Sequence, residues 1–140
     1  MGIRKAQAEW KGDLKGGSGV MSIGGRFEQP YTFSSRFEEE TGSTPEELLA
    51  AAHAGCFSMA LSHGLAEAGH TPTRVTTMAK VSLETTDAGS AITRIALVCT
   101  AEVSGIEEPQ FQEIAEATKT GCPVSRALAG PEITLQATLL

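Results

Sequence analysis

Thr44-Pro45-Glu46-Glu47-Leu48-Leu49-Ala50-Ala51-Ala52-His53-Ala54-Gly55-Cys56-Phe57-Ser58-Met59-Ala60-Leu61 is the stretch that decides the fold. Thr44 can cap a helix, Pro45 suits the first helical position, and Glu47 stands three residues after Thr44, where it completes a capping box. The apolar run continues to Glu67-Ala68 and meets Gly69, a common helix stop. The pattern predicts a helix from Pro45 to Ala68, about 36 Å long. Small residues nearly all round it imply burial at the centre of the molecule. Such a helix needs more cover than one 140-residue chain supplies, which predicts a partner subunit.

Before this helix, β-like pieces at Gln7 to Trp10, Val20 to Ile23 and Tyr31 to Phe33 are separated by glycine-rich turns, the pattern of a small meander. Gly16-Gly17-Ser18-Gly19 lacks the GxxxxGK[ST] pattern, and no parallel βαβ unit follows, so it does not read as a phosphate loop. After the helix, Val75 to Glu84 and Ala91 to Val103 are β-branched and flank Thr86-Asp87-Ala88-Gly89, which predicts a long hairpin. Phe111, Ile114, Ala115 and Thr118 then recur at helical spacing up to Gly121, Pro123 to Leu128 reads as a short helix, and Ile133, Leu135, Ala137 and Leu139 alternate as a last strand. The predicted order is βββ-α-ββ-α-α-β, an α+β fold with an antiparallel sheet.

A length of 140 residues suits a single domain, 1–140. Composition is globular, with 41% hydrophobic and 20% charged residues, and no apolar run is read as a membrane span. Met1 to Gln7 lacks the apolar core of a secretory signal, so the expected location is cytoplasmic. A formal charge of −6, without clustered Lys and Arg, argues against a nucleic-acid partner. In a reducing cytosol three cysteines suit a transient disulfide better than a permanent framework.

The cysteines have unequal surroundings. Cys56 lies in an apolar helix, where burial alone makes a thiol inert, so it reads either as a small core residue or as a reactive thiol helped by a cation. Cys122 stands between Gly121 and Pro123 at a helix start, where unpaired N–H groups favour a thiolate; the alternative is a turn residue. Cys99 shares a strand face with Ile95, Leu97 and Ala101 and reads as core. Among the bases, Arg36 is the best candidate to ionise Cys56, because Phe33 and Phe37 flank it; the alternative is a surface arginine in the charged run Arg36 to Glu40. Glu46 either caps the helix dipole or holds a guanidinium through a bidentate pair. Phe33, Phe37, Phe57 and Met59 are either core or the lining of an apolar pocket. His53, Cys56 and His63 read as one helix face, open to metal binding, to imidazole activation of Cys56 or to plain packing; without close CxxC-type spacings no metal is expected.

Arg36-Phe37-Glu38, Pro45-Glu46-Glu47-Leu48, Ala51 to Leu61 and Gly121-Cys122-Pro123-Val124-Ser125, taken in order, resemble the osmotically inducible protein C (OsmC) and organic hydroperoxide resistance (Ohr) superfamily, and the OsmC branch fits better. The resemblance runs from Gln7 to the final strand. Gly55 stands where an alanine is common, Cys99 is an extra thiol, and Gly130-Pro131 shortens the approach to the last strand. The likeness implies an intertwined homodimer with a sheet wrapped around the long helix, and a thiol-dependent peroxidase acting on organic hydroperoxides. It further implies Cys56 as peroxidatic and Cys122 as resolving cysteine, joined in a disulfide during turnover, with Arg36 activating and Glu46 orienting it. A dithiol of the lipoyl type would restore the thiols, with no cofactor, nucleic acid or membrane involved. The rival from the residues alone is a non-enzymatic redox sensor or small-molecule binder.

Overall fold

The elements are β1 (Ala6–Lys11), β2 (Ser18–Ile23), β3 (Phe27–Tyr31), α1 (Phe33–Phe37), α2 (Pro45–Glu67), β4 (Arg74–Thr86), β5 (Gly89–Glu102), α3 (Glu108–Gly121), α4 (Pro123–Ala127) and β6 (Glu132–Leu139). The computed structural model describes residues 2–38 and 41–140; the end of the charged run, Glu39 and Glu40, lies outside the described residues. Two compact units divide the chain, Met1–Glu47 and Leu48–Leu140.

The first unit is the expected meander, an antiparallel sheet in the order β1-β2-β3. Its glycine-rich segment is a hairpin turn: the amides of Gly16 and Gly17 bond the Asp13 side chain and carbonyl at 2.6 and 3.1 Å. A Cβ on Gly17 would lie 2.3 Å from that carbonyl, which excludes any other residue there. The expected strand Tyr31 to Phe33 is corrected: β3 ends at Tyr31 and Phe33 opens the additional helix α1. The cause is a local capping box in which Ser35 N–H donates to Thr32 Oγ1 at 3.0 Å and Thr32 N–H donates to Ser35 Oγ at 2.9 Å. Pro30 lies in β3, an edge strand, where a missing N–H is tolerated.

α2 begins and ends as its sequence predicts. Glu47 N–H donates to Thr44 Oγ1 and Thr44 N–H to Glu47 Oε2, both at 3.1 Å. At the other end His70 N–H bonds the Leu65 carbonyl and Gly69 N–H the Ala66 carbonyl, a Schellman motif with Gly69 at φ 90°. By length and composition alone α2 is long and apolar enough to cross a bilayer, a test that the core helix of a globular protein also passes. One side of it is a core surface, with Phe57, Leu61 and Leu65 fully buried. Burial all round is not found within the chain: Ala52, Gly55, Met59 and His63 are exposed.

The second unit holds a sheet in the order β4-β5-β6. Thr86 pairs with Gly89, leaving Asp87 and Ala88 as the turn, and Thr93 is skipped where the register shifts between Ser82 and Leu83. β5 buries Ile95, Leu97, Cys99 and Ala101 on one face, the alternation read from the sequence. The expected all-antiparallel sheet is corrected, because β6 pairs parallel to β5. The chain reaches it by a crossover through α3 and α4, the kind of connection parallel neighbours require. α3 contributes Phe111 and Ala115 to the same core as Phe57 and Leu61 of α2.

Candidate active site

In the second unit Cys56 and Cys122 come together as free thiols. Cys122 caps α4: its Sγ accepts the Ser125 N–H at 3.4 Å. The Val124 backbone N–H and the Cys122 side chain both act on the Cys56 thiol, so the start of this short helix stands beside both sulfurs. Burial pushes the Cys56 thiol up from its ordinary value; the Val124 N–H pulls it down, and the Cys122 side chain raises it again by hydrogen bonding and charge. A thiol in that setting needs a cation before it is a nucleophile at neutral pH. Cys122 is itself buried, so both sulfurs can meet with little bulk water between them.

Cys99 is a core residue, as its strand position predicts. It is fully buried, and burial raises its thiol while a bond from Thr77 lowers it.

In the first unit Arg36 and Glu46 form the bidentate pair that the resemblance implies. Arg36 Nη2 lies 2.7 Å and Nε 3.1 Å from Glu46 Oε1, and Nε is 3.3 Å from Oε2. Glu46 is buried while Arg36 retains exposure, so the carboxylate anchors the guanidinium. α1 is tied to the approach to α2 by Ser35 Oγ, which donates to the Ser43 carbonyl at 3.0 Å. The guanidinium carbon also stands 5.2 Å from the Phe37 ring centroid, a cation–π contact. A groove of about 240 Å³ opens beside Arg36, lined by Trp10, Leu14, Tyr31, Phe33 and Phe37 among others. Of the two readings given to these residues, Phe33 and Phe37 line the groove, Phe57 is sealed in the core of the second unit, and Met59, 78% exposed, is not core within the chain.

His53 and His63 do not share an environment. His53 is fully buried and His63 exposed, because ten residues leave two helical positions about 80° apart. No cluster of three or more His, Cys, Asp or Glu able to hold a metal occurs among the described residues. His53 instead bonds Ser125, with Nε2 and Oγ 2.7 Å apart. Ser125 is a site residue that the sequence reading quoted but gave no role. Its signal was the spacing Cys122-Pro123-Val124-Ser125, which puts a hydroxyl at the third helical position behind a capping sulfur.

A family profile described as OsmC-like protein matches residues 38–136. The chain belongs to the OsmC family. It is 54% identical over 134 residues to Peroxiredoxin OsmC of Escherichia coli (strain K12), covering 94% of this chain and 93% of that one. The same identity and coverage hold for Peroxiredoxin OsmC of Shigella flexneri. The fold is that of the organic hydroperoxide resistance protein OhrB of Bacillus subtilis (24% identity, 97% and 98% of the two chains, TM-score 0.72) and of an OsmC-like protein from Mycoplasma pneumoniae (17% identity, 99% and 98%, TM-score 0.75). With its OsmC relatives this chain is a thiol-dependent peroxidase.

Proposed function

We propose that the peroxidase reduces organic hydroperoxides through Cys56, with Cys122 as resolving thiol. The single observation that carries this reading is that the start of α4 serves both thiols: the Ser125 N–H reaches the Cys122 sulfur, and the Val124 N–H and the Cys122 side chain both shift Cys56. The Cys56 thiolate attacks one peroxide oxygen, the O–O bond breaks, and the alkoxide leaves as alcohol after taking up a proton. Cys56 is left as a sulfenic acid, which Cys122 converts to a disulfide with loss of water. Arg36, held by Glu46, supplies the positive charge that keeps Cys56 ionised and stabilises the departing oxygen. The apolar groove beside Arg36 supports a bulky organic substrate over hydrogen peroxide, since an alkyl group gains burial energy there.

A dithiol, for which a lipoyl group is the chemical type, reopens the disulfide. The chain works as a homodimer in the cytoplasm, in which a second copy covers the exposed side of α2. Residues 1–140 fold as a single domain. One equivalent of cumene hydroperoxide, followed by mass spectrometry, tests the core of the proposal. A Cys56–Cys122 bridge is the expected product; oxidation confined to Cys99, or a stable adduct on Cys122 alone, refutes it. Size-exclusion chromatography with light scattering tests the dimer.

A further inference from the structure

The buried histidine and serine behind Cys122 have no part in the reaction so far. Cys122 Sγ donates to Ser125 Oγ at 3.1 Å, and Ser125 Oγ lies 2.7 Å from His53 Nε2, with all three residues buried. With the serine accepting from the thiol, its own proton points at Nε2, so the three groups form one directed chain from sulfur to imidazole. His53 Nδ1 has no hydrogen-bond partner among the described residues. A buried polar atom left so is costly, and packing alone does not call for an imidazole there.

We propose that Ser125 and His53 form a proton relay for Cys122, accepting its thiol proton as it attacks the oxidised Cys56. The proposal rests on the division of labour between the two cysteines given above. In the step, the Cys122 S–H bond breaks and its proton goes to Ser125 Oγ while the serine proton passes to His53 Nε2. The sulfur electron pair forms the S–S bond, and the Cys56 S–O bond breaks with its pair on the departing hydroxide. Hydroxide takes a proton from solvent and His53 gives one back, so the thiol and sulfenic acid yield a disulfide and one water. Cys122 is oxidised and the sulfenic sulfur reduced, with no outside oxidant. When a dithiol reopens the bridge, the same chain runs in reverse and returns a proton to the Cys122 sulfur.

Burial holds His53 below its ordinary value, so it is neutral and ready to accept at neutral pH. The other titratable or charged groups around Cys122 and Ser125 are Cys56 on α2, Lys119 with its partner Glu116 on α3, and Arg126 on α4; Lys119 and Arg126 line a surface pocket with Ser125. Cys99 on β5 belongs to the same core but bonds Thr77, and β6 contributes the apolar Ile133. None of these is an alternative base in contact with the Cys122 sulfur: Cys56 is the oxidised partner in this step, and Lys119 and Arg126 are cations.

The test is rapid mixing of the reduced protein with one equivalent of cumene hydroperoxide, acid quench, and mass spectrometry that times the sulfenic acid and then the disulfide. Ser125→Ala and His53→Gln are expected to slow the second step relative to the first by about 10- to 100-fold at pH 6.5. The deficit narrows as pH rises and hydroxide can take the thiol proton directly, and Ser125→Thr restores the rate. Gln keeps a bond to Ser125 but cannot hold the proton, so its deficit is not a packing effect. Unchanged resolution in both variants, or slowing by the same factor at every pH, overturns the relay while a wild-type bridge leaves the cysteine roles intact. Absence of the bridge in the wild-type protein takes both readings down together.

Discussion

The two units differ in the solvent each can exclude. The first has a thin sheet whose apolar side chains remain in view, Val20, Ile23 and Phe27 among them, and it holds a charged pair and an open groove. The second has a dry core in which Phe57, Leu61, Ile95 and Phe111 are sealed, and it holds the sulfurs. A guanidinium works at a boundary, where it stays hydrated enough to remain cheap and close enough to apolar groups to act. The disulfide proposed between Cys56 and Cys122 would need its two sulfurs brought to bonding range, which a packed interior favours.

This contrast breaks most visibly at the sulfur. Cys56→Ser is expected to lower steady-state reduction of cumene hydroperoxide by three orders of magnitude or more, since the nucleophile itself is lost. Residual turnover near wild type would move the chemistry out of the second unit. Next in size is a matched pair of truncations: Phe57→Ala should cost about 3–5 kcal/mol of unfolding free energy, whereas Phe37→Ala, 40% exposed, should cost well under half of that. Urea denaturation measures both, and equal losses would erase the distinction between the units. Arg36→Gln should slow the first oxidation about 100-fold with little change in the fraction resolved to disulfide, read by single-turnover quench.

The smallest effect concerns acid. His53 has its folded value below the ordinary 6.5, so the unfolded chain binds more protons in the window between the two. Stability therefore rises with pH through that window and is lost as pH falls below 6.5. The melting temperature should drop between pH 7.5 and 5.5, with a shallower slope in His53→Gln. An unchanged slope would place the acid sensitivity elsewhere.

Legibility in the sequence followed the same division. In the second unit long strands and helices repeat their periods many times, so the hairpin, α3 and the buried face with Cys99 could be read directly. The parallel pairing of β6 could not, because alternation marks a buried face and not a direction. In the first unit the elements are five or six residues long, and α1 hangs on one Thr32–Ser35 exchange that no periodicity announces. Arg36, Glu46, Cys56 and Cys122 were recognisable as candidates because their motifs stand in order. Ser125 and the Val124 amide were not, since their roles come from where a backbone turn aims its hydrogens.

Trp10, whose indole N–H bonds the Asp13 carbonyl at 3.0 Å and whose ring meets Tyr31 at 5.3 Å, is the one tryptophan of the chain. Nature has thus left an intrinsic fluorophore in the meander and none in the thiol-bearing half. Its emission colour reads wetting of the groove, while far-ultraviolet ellipticity is dominated by α2 and α3. Comparing the two optical signals during denaturation tells, without any label, whether the halves melt as one.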